Sequence, residues 1–180
     1  TMQATYCAAT NKIYCVRADT FSVPYLATLT ILLPGLSQDG QEVSLPELPG
    51  TPSNMKIEAS RDGSTVGIAY EYSYVEQADT AFQGFFTSSR TFAVPVTNSN
   101  SYLVSLHGGS NGGLYMIRNS LSDYFSFDEL KPTLNKQFVI QNERQLSTGA
   151  KIQFDGNLNR WVEDSTVLTA FDPAHAPLRT

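Results

Sequence analysis

One stretch of alternating side chains constrains this chain more than any other feature. From Thr65 to Glu76, Val66, Ile68, Tyr70, Tyr72 and Tyr74 share one face, with Thr65, Gly67, Ala69, Glu71 and Ser73 on the other. A period of two means an extended strand, because successive side chains in a strand point to opposite sides. Such a strand needs a second layer on which to bury its apolar face. Arg61-Asp62-Gly63-Ser64 precedes the run, and Met55 to Ala59 precedes that turn, so a hairpin around Asp62-Gly63 is expected. The tyrosine row reads as the inward face of a sheet, with a stacking platform for sugar rings as the alternative, and Trp161 reads as a core aromatic.

Similar runs lie between turn signals at Ala4 to Ala8, Lys12 to Arg17, Tyr25 to Leu33, Ala81 to Thr87, Arg90 to Val96 and Tyr102 to Leu106. Further along come Leu114 to Arg118, Lys136 to Gln141, Ala150 to Phe154, Arg160 to Val162 and Thr166 to Ala170. About a dozen short strands predict an all-β fold, an antiparallel β-sandwich or barrel (jelly-roll-like) with at most one or two short helical turns. One such turn is expected at Ser126-Phe127-Asp128-Glu129, which matches a capping box and is stopped by Pro132. Pro24 and Pro95 cannot donate to a ladder, so their strands are expected at an edge or at a bulge. Between Pro34 and Pro52, four prolines and three glycines break both periods, which predicts an exposed loop near residues 34–54. Too few residues precede this loop to build a core, so residues 1–180 read as one domain. The sequence shows no convincing internal repeat.

Charged residues make up only 16% of the chain, against roughly a quarter in ordinary soluble proteins, so Ser, Thr, Asn and Gln must coat much of the surface. With a net charge of -5 and no Lys/Arg cluster, the electrostatic footprint for a phosphate backbone is missing, and nucleic acid is not an expected partner. No apolar run reaches the roughly 18 residues of a bilayer span, so membrane insertion is not expected. Thr1 and Met2 open no signal region, and the chain reads as a processed product or a segment of something longer. Cys7 and Cys15 flank a turn at Thr10, Asn11 and Lys12; a three-residue loop would set them opposite each other, and two unbridged buried thiols are the alternative. No Asn-X-Ser/Thr glycosylation site occurs.

His107-Gly108-Gly109-Ser110-Asn111-Gly112-Gly113 is the most suggestive segment. Gly108, Ser110 and Gly112 match G-x-S-x-G, but a nucleophile elbow needs a helix after the serine, and Leu114 to Ile117 reads as a strand. As a contact loop the segment offers His107, Ser110 and Asn111 as ligand-binding residues, with glycines allowing close backbone approach. Asp155, Asn157 and Asn159 alternate as calcium ligands do, although Arg160 stands where the turn glycine belongs and Thr166 where the bidentate glutamate belongs. A plain Asp-Gly turn is the better reading there. Zinc ligand spacing is missing, and no cofactor is expected. Asp123, Asp128 and Glu129 are close enough in sequence to be weighed as a glycosidase pair, with helix-end charges as the alternative.

The polar Thr/Tyr strand Thr65-Val-Gly-Ile-Ala-Tyr-Glu-Tyr-Ser-Tyr74, the Gly-rich and Pro-rich loops, and the tail Phe171-Asp-Pro-Ala-His-Ala-Pro-Leu-Arg-Thr180 together give the chain a texture. In it the whole chain resembles the protruding domain of a small non-enveloped RNA virus capsid protein. The resemblance implies a compact β domain without enzyme activity on the virion surface. It implies self-association as a dimer or trimer and contact with a host receptor protein or glycan. It assigns no residue a role. The alternative is a carbohydrate-binding (lectin-like) module of a larger secreted or cell-surface protein, which would be extracellular.

Overall fold

The computed structural model describes residues 1–21, 23–74, 77–120, 124–147, 151–154, 160–164, 167–171 and 177–179. Among them are strands and no helix, in four consecutive sheets. The first sheet holds β1 (Met2–Cys7), β2 (Lys12–Ala18), β3 (Ala27–Leu32) and β4 (Val43–Ser44). The second holds β5 (Thr51–Ala59), β6 (Thr65–Tyr74), β7 (Gln77–Phe86) and β8 (Thr91–Phe92), with β9 (Val96–Asn98) also beside β7. The third holds β10 (Ser101–Gly108), β11 (Leu114–Ser120), β12 (Tyr124–Pro132) and β13 (Phe138–Ser147). The fourth holds β14 (Lys151–Phe154), β15 (Arg160–Asp164), β16 (Val167–Phe171) and β17 (Pro177–Arg179).

The expected antiparallel all-β class is what the chain adopts. Sheets pack face to face and are not closed into a barrel. Within each sheet the main strand order follows the chain, which is a meander and not the crossed order of a jelly roll. The first strands begin at residues 2, 51, 101 and 151, a spacing of 49 to 50 residues. A structural repeat is therefore present where the sequence shows none. A four-stranded meander of about fifty residues is the unit of radial β repeats such as propeller blades. The first strands are neighbours in space as well, with β1 against β5 and β5 against β10.

Between the first and second sheets lie Tyr14, Val16, Leu29 and Ile31 from one side and Val66, Ile68 and Tyr70 from the other. The opposite face of the second sheet contributes Ala69, Phe82 and Phe86 to another core, shared with Leu106, Leu114, Met116, Leu130 and Phe138 of the third. Phe138 contacts Phe82 and Phe86, with ring centroids 5.1 and 5.4 Å apart. The inward reading of the tyrosine row holds for Tyr70 and Tyr72, both buried; the side chain of Tyr74 lies outside those described. Trp161 is only half-buried.

Turns that join first to second strands stack at one end. Arg61 N donates to Gly109 O at 2.9 Å, and Thr65 Oγ1 to Gly112 O at 2.7 Å, tying the second sheet to the third. The turn at residues 8–11 lies against Gly63 in the same way. This turn has four residues and sets Cys7 opposite Lys12 and Cys15 opposite Ala4. The thiols therefore lie on opposite faces of the sheet, and both are free.

Three sequence expectations are corrected. Ser126-Phe127-Asp128-Glu129 is no helical turn but the middle of β12. Asp128 meets Arg118 Nε of the neighbouring strand at 2.5 Å, and Ser126 Oγ donates to Asp128 along the same strand at 3.0 Å, so these polar groups are satisfied by strand neighbours and not by a helix N-terminus. The loop near residues 34–54 is mostly exposed, but Leu45 and Leu48 insert into the core and β4 and β5 begin within it. The run from Arg90 to Val96 is split into β8 and β9, with Pro95 between them, as its missing N–H requires.

The approach of β10 to β5 leaves no room at Gly108, where an added Cβ would overlap the Ala59 carbonyl oxygen. A backbone atom cannot turn aside as a side chain can. Gly108→Ala is expected to destabilise the fold by about 1–3 kcal/mol, whereas Gly35→Ala, with nothing within 4 Å, should shift stability by under about 0.5 kcal/mol. Urea unfolding of the two variants beside the parent chain checks this.

Candidate functional site

The third sheet turns its second face away from the core shared with the second sheet. In-register pairing sets His107, Tyr115 and Glu129 in one rung across β10, β11 and β12, with Ser105, Ile117 and Phe127 in the next. Tyr115, Ile117 and Phe127 are buried together, and the Tyr115 and Phe127 rings stack with centroids 5.4 Å apart. Val104 falls at a register shift between Leu103 and Ser105 and is exposed.

Beside this apolar centre lies a cleft of about 380 Å³ lined by Val104, Ser105, His107, Ile117 and Phe125 from the third sheet and by Lys151 and Gln153 from β14. The volume falls within the roughly 300–1,000 Å³ of small-molecule sites. So does the character: three apolar side chains give body, and four polar ones can fix orientation. His107 Nε2 and the Ser105 hydroxyl are hydrogen-bonded at 2.9 Å. Burial pulls the His107 pKa below 6.5, so the imidazole is neutral at pH 7 and offers one donor and one acceptor.

Of the residues read from sequence, His107 lines the cleft and Ser110 and Asn111 do not. Those two sit exposed at the tip of the β10–β11 turn, which Gly113 N closes onto Ser110 O at 2.8 Å. Asn111 and Gly112 have φ of 52° and 72°, the two positive values that a tight hairpin turn demands. Their residue types thus answer to turn geometry. The segment after Gly113 is strand β11, so the strand-to-helix geometry of a nucleophile elbow is not formed around Ser110. Asp128 and Glu129 are consecutive on β12 and point to opposite faces, Asp128 to Arg118 and Glu129 to Lys131 at 3.0 Å, so they form no catalytic pair. Asp123, Asp155, Asn157 and Asn159 lie outside the described residues. Sequence reading missed Val104, Ser105, Ile117, Phe125, Lys151 and Gln153. Ser105 was within reach, since two residues before His107 on a strand is the same face, and Val104 adjoins it; the others come from three other strands. Comparison with known proteins finds no matching family model and no matching curated sequence.

A buried neutral histidine has a signature in stability. Its folded pKa is depressed, so its stabilising contribution is intact above the unfolded value of about 6.5 and is lost as pH falls from there towards the folded value. Chemical denaturation across this range should show stability falling with acidity, and His107→Leu should flatten that dependence. An unchanged slope in the variant would place the titration elsewhere.

Proposed function

We propose that this chain is a non-enzymatic interaction domain that binds a glycan in the cleft between its third and fourth sheets. The observation that carries the reading is the lining: Ile117 and Phe125 offer an apolar wall for a sugar ring, and Ser105, His107, Lys151 and Gln153 offer hydrogen bonds to its hydroxyls. His107 Nε2 is engaged with the Ser105 hydroxyl at 2.9 Å, and the pair presents a neutral polar edge that suits an uncharged, hydroxyl-rich ligand. A carbohydrate-binding module of a secreted or cell-surface protein would work this way. A protruding capsid domain that touches host glycans would use the same chemistry.

Glycan-array screening followed by calorimetry tests the reading. Binding is expected, with His107→Ala and Gln153→Ala each weakening it about tenfold or more, the worth of one good hydrogen bond of about 1.4 kcal/mol. Ser110→Ala and Asn111→Ala should leave affinity within about twofold, since both lie outside the cleft. Silence across the array, or binding indifferent to the two cleft substitutions, would overturn it. Ester turnover lost in Ser105→Ala would overturn the non-enzymatic part, making Ser105 and His107 a nucleophile and its base.

A further inference from the structure

The interfaces between neighbouring sheets are built from corresponding places in the repeat. On the first two strands of the second sheet, Ile57 stands opposite Ile68 and Ala59 opposite Val66, and all four are buried in the core shared with the first sheet. On those of the third, Leu106 stands opposite Met116 and Gly108 opposite Leu114, on the face turned back to the second sheet. In the fourth sheet these places hold Lys151 opposite Glu163 and Gln153 opposite Trp161. Residues directly paired across antiparallel strands share a face, and Lys151 and Gln153 line the cleft together with the third sheet. Trp161 and Glu163 therefore look back at the third sheet, as Leu114 and Met116 look back at the second.

The change of residue class leaves this interface open. Val66, Ile68, Leu114 and Met116 are 0% exposed; Trp161 is only half-buried, and the Glu163 side chain is 51% exposed. Lys151 and Glu163 face each other at 3.5 Å, a charge pair where the earlier interfaces place aliphatic side chains. Two interfaces are thus closed as cores, and the next is a cleft with the chain's one tryptophan beside it. The sequence expectation of a core aromatic does not describe Trp161, because a core residue in this place is covered as Val66 and Leu114 are.

An indole offers a broad apolar face with one N–H at its edge. At the pairing distance, its Cβ stands about 4.5–5.5 Å from that of Gln153, so Trp161 adjoins the cleft from the fourth sheet while Ile117 and Phe125 bound it from the third. A slab with apolar faces and a polar rim suits these walls. A pyranose ring whose hydroxyls are equatorial has that form: its axial C–H bonds cover the faces, and its hydroxyls project from the edge, where Ser105, His107 and Gln153 supply hydrogen-bonding groups. An axial hydroxyl would press a polar group onto the indole and leave it unpaired.

We propose that Trp161 is the stacking platform of the cleft and that its ligand is a hexopyranoside with equatorial hydroxyls, one ring face of which lies on the indole. The proposal rests on the glycan reading of the cleft and adds to it the residue and the sugar geometry that set specificity.

The chain contains one tryptophan, so intrinsic fluorescence reports on Trp161 alone. The full 180-residue chain is titrated with cellobiose, whose glucose rings carry equatorial hydroxyls, by calorimetry and by fluorescence in parallel. Binding heat is expected together with a shift of the emission maximum, with coincident midpoints, and acrylamide quenching of the indole should fall as the cleft fills. Trp161→Ala should weaken affinity about tenfold or more, and Trp161→Phe, which keeps a ring, should recover most of it. Methyl α-mannopyranoside, with an axial hydroxyl, should bind about tenfold or more weakly than cellobiose. Cellobiose heat with emission and quenching unchanged, or affinity indifferent to Trp161→Ala, would overturn the platform and leave the glycan reading standing; the fluorescence result holds whether or not the variants fold. Mannoside binding as tight as that of cellobiose, or no cellobiose heat from a chain that binds other glycans on the array, would overturn the sugar geometry. Silence across the whole array would overturn the glycan reading and this proposal with it.

Discussion

The packing of β6 between two neighbouring sheets is the interaction on which the rest of the molecule rests. Val66, Ile68 and Tyr70 press towards the first sheet while Ala69 presses towards the third, all at 0% exposure. A strand buried on both faces has no wet side, so large residues on one face must be offset by small ones on the other if the layers are to approach. Ala69 and its neighbour Gly67 meet that demand where Leu114 crosses. The same core contains the Gln83 amide and the Tyr70 hydroxyl, which have no hydrogen-bond partners among the described residues, a cost that the surrounding apolar burial has to exceed.

Repetition turns this local solution into an architecture. Every fifty residues or so the chain lays down one more meander, and the first strands of the first three lie side by side. The turns that follow those first strands stack as a consequence, and their chemistry serves the stacking. Asp62 shows this: burial would raise its pKa, but hydrogen bonds from Ser60, Ser64 and the backbone of Gly112 in the next turn outweigh burial and hold it below the usual value. Polar residues at the turns are thus committed to neighbouring turns. The polar residues of the cleft stand instead on strand faces, from β10 and β14.

Period-two patterning was legible because burial on one side leaves a mark at every second residue, and it located most strands near their true places. It failed at β12, where Ser126 and Glu129 have the spacing of a capping box; the ion pair of Asp128 with Arg118 on the adjacent strand decides the matter, and no local pattern records that. The fifty-residue repeat escaped notice because it conserves residue class and not identity. Its traces are Asn11, Asp62-Gly63, Asn111-Gly112 and Asp155-Gly156, each following a first strand. His107 was legible as a candidate, but its partners were not, since Ile117, Phe125 and Gln153 become its neighbours only when β10, β11, β12 and β14 come together.

Side-chain nuclear Overhauser contacts across the layers test the stacking most directly. Contacts are expected from the Phe138 ring to those of Phe82 and Phe86, joining the third sheet to the second, and from the Thr10 methyl to the α protons of Gly63, joining the second to the first. A spectrum that shows the hairpins within each sheet but neither set of contacts between sheets would contradict the account.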